Sequence, residues 1–552
     1  MKTVLTKIIS YQKQLSVLVL LISVVVLYGQ FLWNPIIFDD LPFFMLDTQG
    51  VQPVDSFIYS PLGLRSLPYA TLAWTRTLFG LDLIYFRLGN LLLHAATVLA
   101  LHSFLKYLFS AVYLRKTADS LSANQAALMA ALLFALHPMA TYAVGYLVQR
   151  TIVMATLFSL LSMLAYTKGG VENKPLWMWC SVPLYYLAVY SKEHAIMLVA
   201  VLGALTVLLH PDWRTKLKAR WGLFAVMACI AVLVVLTRKE LFGSVYEPDA
   251  KNMLGKDYGA LAYPLSVITQ CGLFFKYLLL WILPNTAWTS IDMRETFVRS
   301  LLSPYAVAVL AYLAWGATAV WLLVKRGNQG LAGFAMLFPW VLFLSELYSV
   351  RIQEPFVLYR SYLWASAGFA VLPVLLADIN RKLLALVFAV VGLTFLMLSM
   401  ERMMTFSNSI LVWEDAKKLV EGKPKGLGAE RIYYNLGRNQ LLNDMIDSSF
   451  ENLQKAIAID PDYAPAHGVL GAVYIKQGQW EKAITQYTMA RAINQKRGEA
   501  PSSVYLMGRA RAYEGSGALQ NAIKDYLEAC RIDQRVCETL RKSASPQRGI
   551  KQ

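Results

Sequence analysis

The sequence of 552 residues is 57% hydrophobic and only 16% charged, which excludes a soluble globular protein of this size. Its formal net charge of +17 is typical of nucleic-acid-binding proteins. The basic residues lie mostly between long apolar runs, however, so membrane loops that face the cytoplasm explain the charge better. We therefore expect a protein of the lipid bilayer without a nucleic-acid partner.

Apolar runs divide residues 1–404 into predicted membrane helices. The first run, at 15–32, is long enough to cross the hydrocarbon core, and no small-residue cleavage site follows it, which indicates a retained helix. Lys2, Lys7 and Lys13 precede this run and predict a cytoplasmic N-terminus. Ten further runs bring the predicted number of crossings to eleven, and the loops that this count assigns to the cytoplasm carry clusters of basic residues.

Two long segments are predicted to lie outside the cytoplasm, at 34–85 and at 238–300. The second contains an apolar stretch, 264–283, that has the length of a membrane span but carries Lys276 within it and ends before Pro284. Because a lysine that faces lipid is costly, we expect a helix that lies along the outer interface. If this stretch crossed the membrane instead, every later loop would change sides.

Helical repeats follow the last apolar run. Leu436-Gly437 recur as Leu470-Gly471, 34 positions later, and Tyr474 recurs as Tyr513, 39 positions later. Small glycine and alanine residues at such spacings let paired helices approach closely, and the pattern resembles the tetratricopeptide repeat (TPR) family. Because TPR grooves generally bind peptides or proteins, the resemblance implies a protein acceptor or an assembly partner.

Three segments make up the C-terminal region, and the eleven predicted crossings assign all of them to the outside of the cytoplasm. A linker helix is predicted at 405–429, TPR repeats at 430–540 and a disordered basic tail at 541–552. Cys530 and Cys537 fall within the repeats. They either pair, if this region lies in an oxidising compartment, or remain two thiols.

Charged side chains collect where the apolar runs reach the outer membrane surface. Such charges usually snorkel to water or pair with each other. Acids and bases that several helices contribute to one surface are harder to explain by anchoring, and they indicate a functional site. The candidates, with one aromatic residue beside them, are Asp39, Asp40, Arg65, Arg150, Lys192, Glu193, His194, Arg360 and Tyr362.

The order of short motifs along the chain resembles the transmembrane-and-TPR protein O-mannosyltransferases and their bacterial relatives, within the GT-C superfamily of glycosyltransferases. The matching motifs are Asp39-Asp40, Arg65-Ser66-Leu67, His137-Pro138, Ser191-Lys192-Glu193 and Arg360-Ser361-Tyr362-Leu363. The resemblance implies an all-α polytopic membrane fold with C-terminal TPR repeats. It also implies an enzyme that moves a sugar, with inversion, from a polyprenyl-phosphate carrier to a serine or threonine hydroxyl of an exported protein such as a pilin.

Three departures from the family pattern leave the sugar and the acceptor open. Arg-Ser-Leu at 65–67 stands where the family has Arg-Pro-Leu, Ser361 is inserted in the Arg-Tyr-Leu motif, and only about three repeats are present. Mannose or another hexose and a pentose such as arabinofuranose both remain compatible with the sequence. The expected location is a bacterial inner membrane, with the repeats in the periplasm.

The implied chemistry assigns a role to each candidate residue. An attacking hydroxyl needs a base, which Asp39 or Asp40 would supply, and the departing lipid phosphate needs cations. Glu193 and Tyr362 would support these groups, and Arg65 would alternatively pair with the aspartates. The expected phosphate-binding residues are Arg65, Arg150, Lys192, His194 and Arg360.

No cofactor is expected besides the lipid-linked sugar donor, because neither a nucleotide-binding loop nor a metal-ligand spacing is evident. A divalent cation held by Asp39, Asp40 and His194 is the less favoured alternative. His94 and His137 are interpreted as packed structural residues.

Three other functions remain compatible with the sequence. Elongation of a cell-surface glycan would use the same chemistry on a different acceptor. A non-enzymatic membrane scaffold would recruit partners through the repeats, and a transporter or lipid flippase would use the charges within the membrane. A scaffold has no need of adjacent aspartates, so replacing both with asparagine separates these classes.

Overall fold

The computed structural model describes residues 2–44, 54, 57–114, 121–237, 261–352, 354–422 and 428–538, with the backbone alone for 2–13. These ranges form helices and loops, with one isolated antiparallel bridge between Met293 and Phe356. The all-α prediction is confirmed. The chain divides into two compact units, Met1–Asn408 and Ser409–Gln552.

The first unit contains the apolar part of the chain. Its helix α7 packs against α4, α8 and α9 and has most of its side chains buried. The helices are α1 (Lys2–Tyr28), α2 (Leu41–Phe44), α3 (Ser66–Phe79), α4 (Leu83–Val112), α5 (Ala123–Ala135), α6 (Thr141–Val144), α7 (Arg150–Val171), α8 (Pro175–Ser191), α9 (Leu198–Leu209), α10 (Trp213–Ala219), α11 (Trp221–Thr237), α12 (Ala262–Ile282), α13 (Ala306–Lys325), α14 (Gly327–Phe343), α15 (Ser361–Ser366), α16 (Leu372–Leu375) and α17 (Arg381–Thr405).

Six helices of the described chain are long and apolar enough to cross a membrane, namely α1, α4, α7, α12, α13 and α17. Two bent helix pairs raise this number to eight if each pair forms one broken span. The pairs are α5 with α6, bent by 54°, and α10 with α11, bent by 65°. The first unit is therefore a multi-pass membrane domain, and the predicted total of eleven crossings stays a prediction.

Helix α12 contains the stretch for which an interfacial position was expected. At 21 residues it has the length and composition of a membrane span. Its lysine is not left facing lipid alone, because the Lys276 ammonium pairs with Glu295 and lies 5.2 Å from the ring centre of Phe356. This pairing reduces the cost that argued against a crossing, and the interfacial position of the helix stays a prediction. The side of the membrane on which the repeats lie stays a prediction.

The second unit begins with α18 (Ser409–Val420), which packs on the first repeat helix. Three antiparallel helix pairs follow and confirm the TPR prediction: α19 (Ala429–Leu442) with α20 (Ile446–Ile459), α21 (Ala464–Lys476) with α22 (Trp480–Lys496), and α23 (Ser503–Gly515) with α24 (Leu519–Ile532). Glycine is needed at 471, because a Cβ there would lie 2.8 Å from the ring of Tyr487. Cys530 and Cys537 form a disulfide.

Some predicted segments fall outside the described residues. They are the tail at 541–552, the part of the linker at 423–427, and the parts of the external loops at 45–53, 55–56 and 238–260.

Candidate active site

The loop that carries the two adjacent aspartates is held by a buried arginine of α4. The Arg87 guanidinium donates to the carbonyl oxygens of Asn34 at 2.7 Å, of Gly145 at 2.9 Å, and of Pro35. It thereby joins the segment that precedes the aspartates to the segment between α6 and α7. Sequence analysis included Arg87 in no functional role, because its three partners are backbone carbonyls that no side-chain motif reveals.

The two aspartates, which end a short 3-10 helix (Phe38–Asp40), have different surroundings. Asp40 is fully buried, and its two carboxylate oxygens accept hydrogen bonds from the backbone N–H groups of Leu147, at 3.1 Å, and Val148, at 2.9 Å. Burial raises the pKa of Asp40 to about 6, although these hydrogen bonds and Arg87 act in the opposite direction. The contacts of Asp40 are those of a residue that fastens two segments together.

Asp39 is only half-buried, unlike its neighbour. Its Oδ2 atom accepts a hydrogen bond from the side-chain amide of Gln149 at 3.4 Å. The negative charge of Asp39 also raises the pKa of Lys192, which brings the two residues into one electrostatic site. A carboxylate that keeps solvent access beside a cation is suited to accept a proton from a bound substrate.

Lys192 follows the last residue of α8 and is 5% exposed. Its Nζ atom lies 5.1 Å from the ring centre of Tyr359, and within the described ranges it forms no ion pair shorter than 4.0 Å. Burial, together with the nearby charges of Arg65 and Arg360, lowers the pKa of Lys192 to about 7, although Glu193 and Asp39 act in the opposite direction. Such an ammonium group is stabilised by any anion that binds beside it.

Arg65 and Glu193 form a bidentate ion pair across 128 positions of sequence. The Arg65 Nε atom donates to Glu193 Oε2 at 3.1 Å, and the backbone N–H of Arg65 donates to the carbonyl of Tyr190 at 2.7 Å. Arg65 thus pairs with this glutamate, and the ion pairs of the described side chains include none between Arg65 and either aspartate. Glu193 therefore pairs with Arg65, and its Oε1 atom lies 3.9 Å from His194 Nδ1.

Sequence analysis missed the acid at the centre of the next cluster. Glu346, in the loop after α14, is 1% exposed and accepts hydrogen bonds from Arg360 Nη1 at 3.0 Å and His194 Nε2 at 2.7 Å. The Nε atom of Arg351 lies 3.5 Å from Glu346 Oε2. Burial alone would raise the pKa of Glu346, but Arg360 and His194 outweigh it and hold the pKa at about 2. The sequence signal that could have revealed Glu346 is its position directly after an apolar run, which is also the position of Asp39.

Arg150 has a different set of partners from this cluster. Its guanidinium donates to Asn90 Oδ1 at 2.8 Å, to Thr71 Oγ1 at 3.2 Å and to a carbonyl oxygen of α4 at 2.8 Å. Gly89 makes room for it, because a Cβ at that position would lie 2.6 Å from Arg150 Nη2. These contacts join α3, α4 and α7, so a phosphate-binding role for Arg150 stays a prediction that its geometry does not favour.

Tyr362 is also a packing residue in this geometry. It is fully buried, and its hydroxyl lies 2.6 Å from His94 Nδ1. His137 stacks on Trp281 with 4.2 Å between ring centres and bonds to the Trp281 carbonyl through Nε2 at 3.0 Å. His94 and His137 therefore have the contacts of packed structural residues.

A cavity of about 500 Å³ adjoins the charged cluster. Most of its wall is apolar and comes from α11, the start of α12 and the loop after α14, including Val234, Val235 and Leu344. Its polar edge includes Glu193, His194 and Arg351. In the described part of the chain, no three histidine, cysteine, aspartate or glutamate side chains converge in the manner of metal ligands.

Comparison with known proteins identifies a family for the repeats and distant relatives of the chain. The tetratricopeptide repeat family matches residues 441–503. The chain is 26% identical over 258 residues to human protein O-mannosyl-transferase TMTC4. This match covers 44% of the chain and 31% of that protein. Human protein O-mannosyl-transferase TMTC3 is 22% identical over 403 residues, which covers 67% of the chain and 43% of that protein. These proteins are distant homologues of the chain.

The similarity has a limited extent. The chain spans 31% to 43% of the length of these relatives, so the similarity covers a part of each. Mouse protein O-mannosyl-transferase TMTC4 is 25% identical over 257 residues. Among solved structures, the MamA protein is 24% identical to this chain, with a TM-score of 0.21. The match covers 29% of this chain and 90% of the MamA chain.

Proposed function

We propose that the chain is a membrane glycosyltransferase that moves a sugar from a lipid-phosphate carrier to a hydroxyl group of a protein. The observation that carries this proposal is the electrostatic interaction of Asp39, a half-buried carboxylate, with Lys192, a buried cation that forms no ion pair shorter than 4.0 Å with the described side chains. The distant relatives are named as protein O-mannosyl-transferases. Mannose is therefore the first sugar to test, and a pentose such as arabinofuranose is the second.

The proposed reaction is a single displacement at the anomeric carbon. The acceptor hydroxyl oxygen forms the new bond to that carbon while Asp39 accepts its proton. The bond from the anomeric carbon to the phosphate oxygen breaks on the opposite face, and its electron pair stays on the phosphate. The ammonium group of Lys192 stabilises this developing charge, and the configuration of the sugar is inverted.

The cavity beside the cluster supports a lipid-linked donor. A carrier of this kind has an apolar chain and an anionic phosphate, so its site needs an apolar wall that ends at cations. The cavity of about 500 Å³ has such a wall, and Arg351 lies at its polar edge. Lys192, next in sequence to the edge residue Glu193, would meet the phosphate.

The TPR unit supports a protein acceptor, because arrays of this kind generally bind peptides or proteins. A serine or threonine of an exported protein such as a pilin is the proposed acceptor. A chain that ends after Asn408, where the first unit ends, should keep donor binding and lose transfer to the natural acceptor. Equal glycosylation by this shortened chain would contradict the acceptor role of the repeats.

Mass spectrometry of exported proteins, with and without the gene, tests the proposed function. We expect hexose or pentose additions on serine or threonine that disappear with the gene and return with the wild-type sequence. The variant in which Asp39 and Asp40 are both asparagine should not restore them. A change confined to a surface polysaccharide, with every protein mass unchanged, would contradict the protein acceptor and favour glycan elongation.

A further inference from the structure

His194 and Glu346 form a histidine–carboxylate dyad across 152 positions of sequence, with His194 Nε2 2.7 Å from Glu346 Oε1. Glu346 also accepts a hydrogen bond from Arg360 Nη1 at 3.0 Å and lies 3.5 Å from Arg351 Nε. Arg360 and His194 hold the pKa of Glu346 at about 2, so its carboxylate is ionised and has no hydrogen to donate. The imidazole must therefore be the donor, which puts a hydrogen on Nε2. Burial lowers the pKa of His194 to about 4, so the ring is neutral and its other nitrogen, Nδ1, is a hydrogen-bond acceptor.

The Nδ1 atom has no hydrogen-bond partner among the described residues, although it is buried. Its nearest acid is Glu193, whose Oε1 atom is 3.9 Å away and thus beyond hydrogen-bond distance. His194 as a whole is 7% exposed and lies on the edge of the 500 Å³ cavity, so water has little access to the ring. A buried acceptor without a partner in such a place is suited to a ligand that brings its own donor.

We propose that the His194–Glu346 dyad binds a hydroxyl group of the donor sugar, with His194 Nδ1 as the acceptor and Glu346 as the positioning residue. The inference rests on the proposed function and deepens it. It replaces the expected role of His194 as a cation for the phosphate, since an ionised phosphate oxygen cannot donate a hydrogen bond to Nδ1. The Glu346 carboxylate fixes the tautomer, as second partners of histidine commonly do.

The donor sugar is a better source of this hydroxyl than the acceptor protein. A serine or threonine has one side-chain hydroxyl, and the proposed reaction uses it at Asp39. A donor hexose or pentose has several hydroxyl groups that do not react. The dyad would therefore select sugars that carry a hydroxyl at one ring position, and it would contribute to the choice of sugar.

Equilibrium binding of donors to the full-length protein in detergent tests the dyad independently of turnover. The probes are polyprenyl-phosphate mannose, its monodeoxy analogues and polyprenyl phosphate without sugar. We expect the wild type to bind mannose donor about tenfold more tightly than one monodeoxy analogue, the effect of one lost buried hydrogen bond. The His194→Phe variant should bind both equally weakly, and should bind polyprenyl phosphate as the wild type does.

Two further variants separate a specific role from a structural one. His194→Gln can donate from its amide to Glu346 and keeps a carbonyl acceptor, so it should retain part of the preference. His102→Phe alters another buried histidine, in α4 and outside the cavity lining, and should leave the preference unchanged. Thermal unfolding of each variant shows that it is folded.

Two results would overturn the dyad proposal. One is an undiminished preference among the sugar donors in folded His194→Phe. The other is an equal loss of affinity for every probe, including the carrier without sugar, which would indicate a structural role alone. A failure of the proposed function would look different, because the wild type would then bind no sugar donor more tightly than the bare carrier and would transfer none.

Discussion

The two aspartate-to-asparagine substitutions should affect different properties. Asp39→Asn should lower turnover, and Asp40→Asn should lower stability. Asp39→Asn keeps the size of the side chain and removes its basicity. Since positioned general bases contribute roughly two to four orders of magnitude to rates, turnover should fall by about that factor. The side chain is half-buried, so stability should change by no more than about 0.5 kcal/mol.

Asp40→Asn should act on the fold instead. Both of its carboxylate oxygens accept from backbone N–H groups, at 3.1 Å and 2.9 Å. An asparagine has one carbonyl oxygen, so its amide NH2 would face one of those donors and leave it unsatisfied in the interior. A buried donor left unsatisfied costs about 1–3 kcal/mol. The melting temperature should fall, while the molecules that remain folded should keep most of their turnover.

The assay measures initial rates of sugar transfer at saturating donor, together with thermal unfolding in the same detergent. Each variant serves as the size-matched control for the other. The reasoning would be refuted if Asp40→Asn lost turnover without loss of stability while Asp39→Asn kept near-normal rates. If both single variants and the double variant kept near-normal rates, the base would not belong to this pair.

Three further predictions follow from the charges, the cysteines and the topology. Because burial lowers the pKa of Lys192 to about 7, its positive charge is lost as pH rises through that value, so donor binding should weaken above it. Lys192→Arg keeps its charge at every working pH and should bind the donor with little pH dependence, and an equal decline in both would indicate another titrating group. Under denaturing, non-reducing conditions three of the five cysteines should react with a thiol label, because Cys530 and Cys537 are paired; five labels would contradict the disulfide. A reporter fused after Gln552 that fluoresces only in the cytoplasm should stay dark, and a bright fusion would invert the predicted topology.

Local sequence pattern was sufficient for the class of protein and for its two parts. Apolar runs predict helices because a helix satisfies its own backbone within the run. The recurrence of Leu436-Gly437 at Leu470-Gly471 predicts stacked helix pairs, because small residues at a fixed spacing let neighbouring helices approach. Both predictions depend on residues close in sequence, and both are confirmed.

Only the tertiary structure decided which charges pair and what each acid contacts. Asp39 and Asp40 are adjacent and chemically identical in the sequence, yet one keeps solvent access and the other accepts two backbone hydrogen bonds. The partner of Asp40 is a segment 107 and 108 positions away, and the partner of His194 is 152 positions away. Such contacts depend on how helices pack in three dimensions. The fold brings distant residues together and thereby determines the solvation and the partners of each side chain, which spacing in the sequence does not reveal.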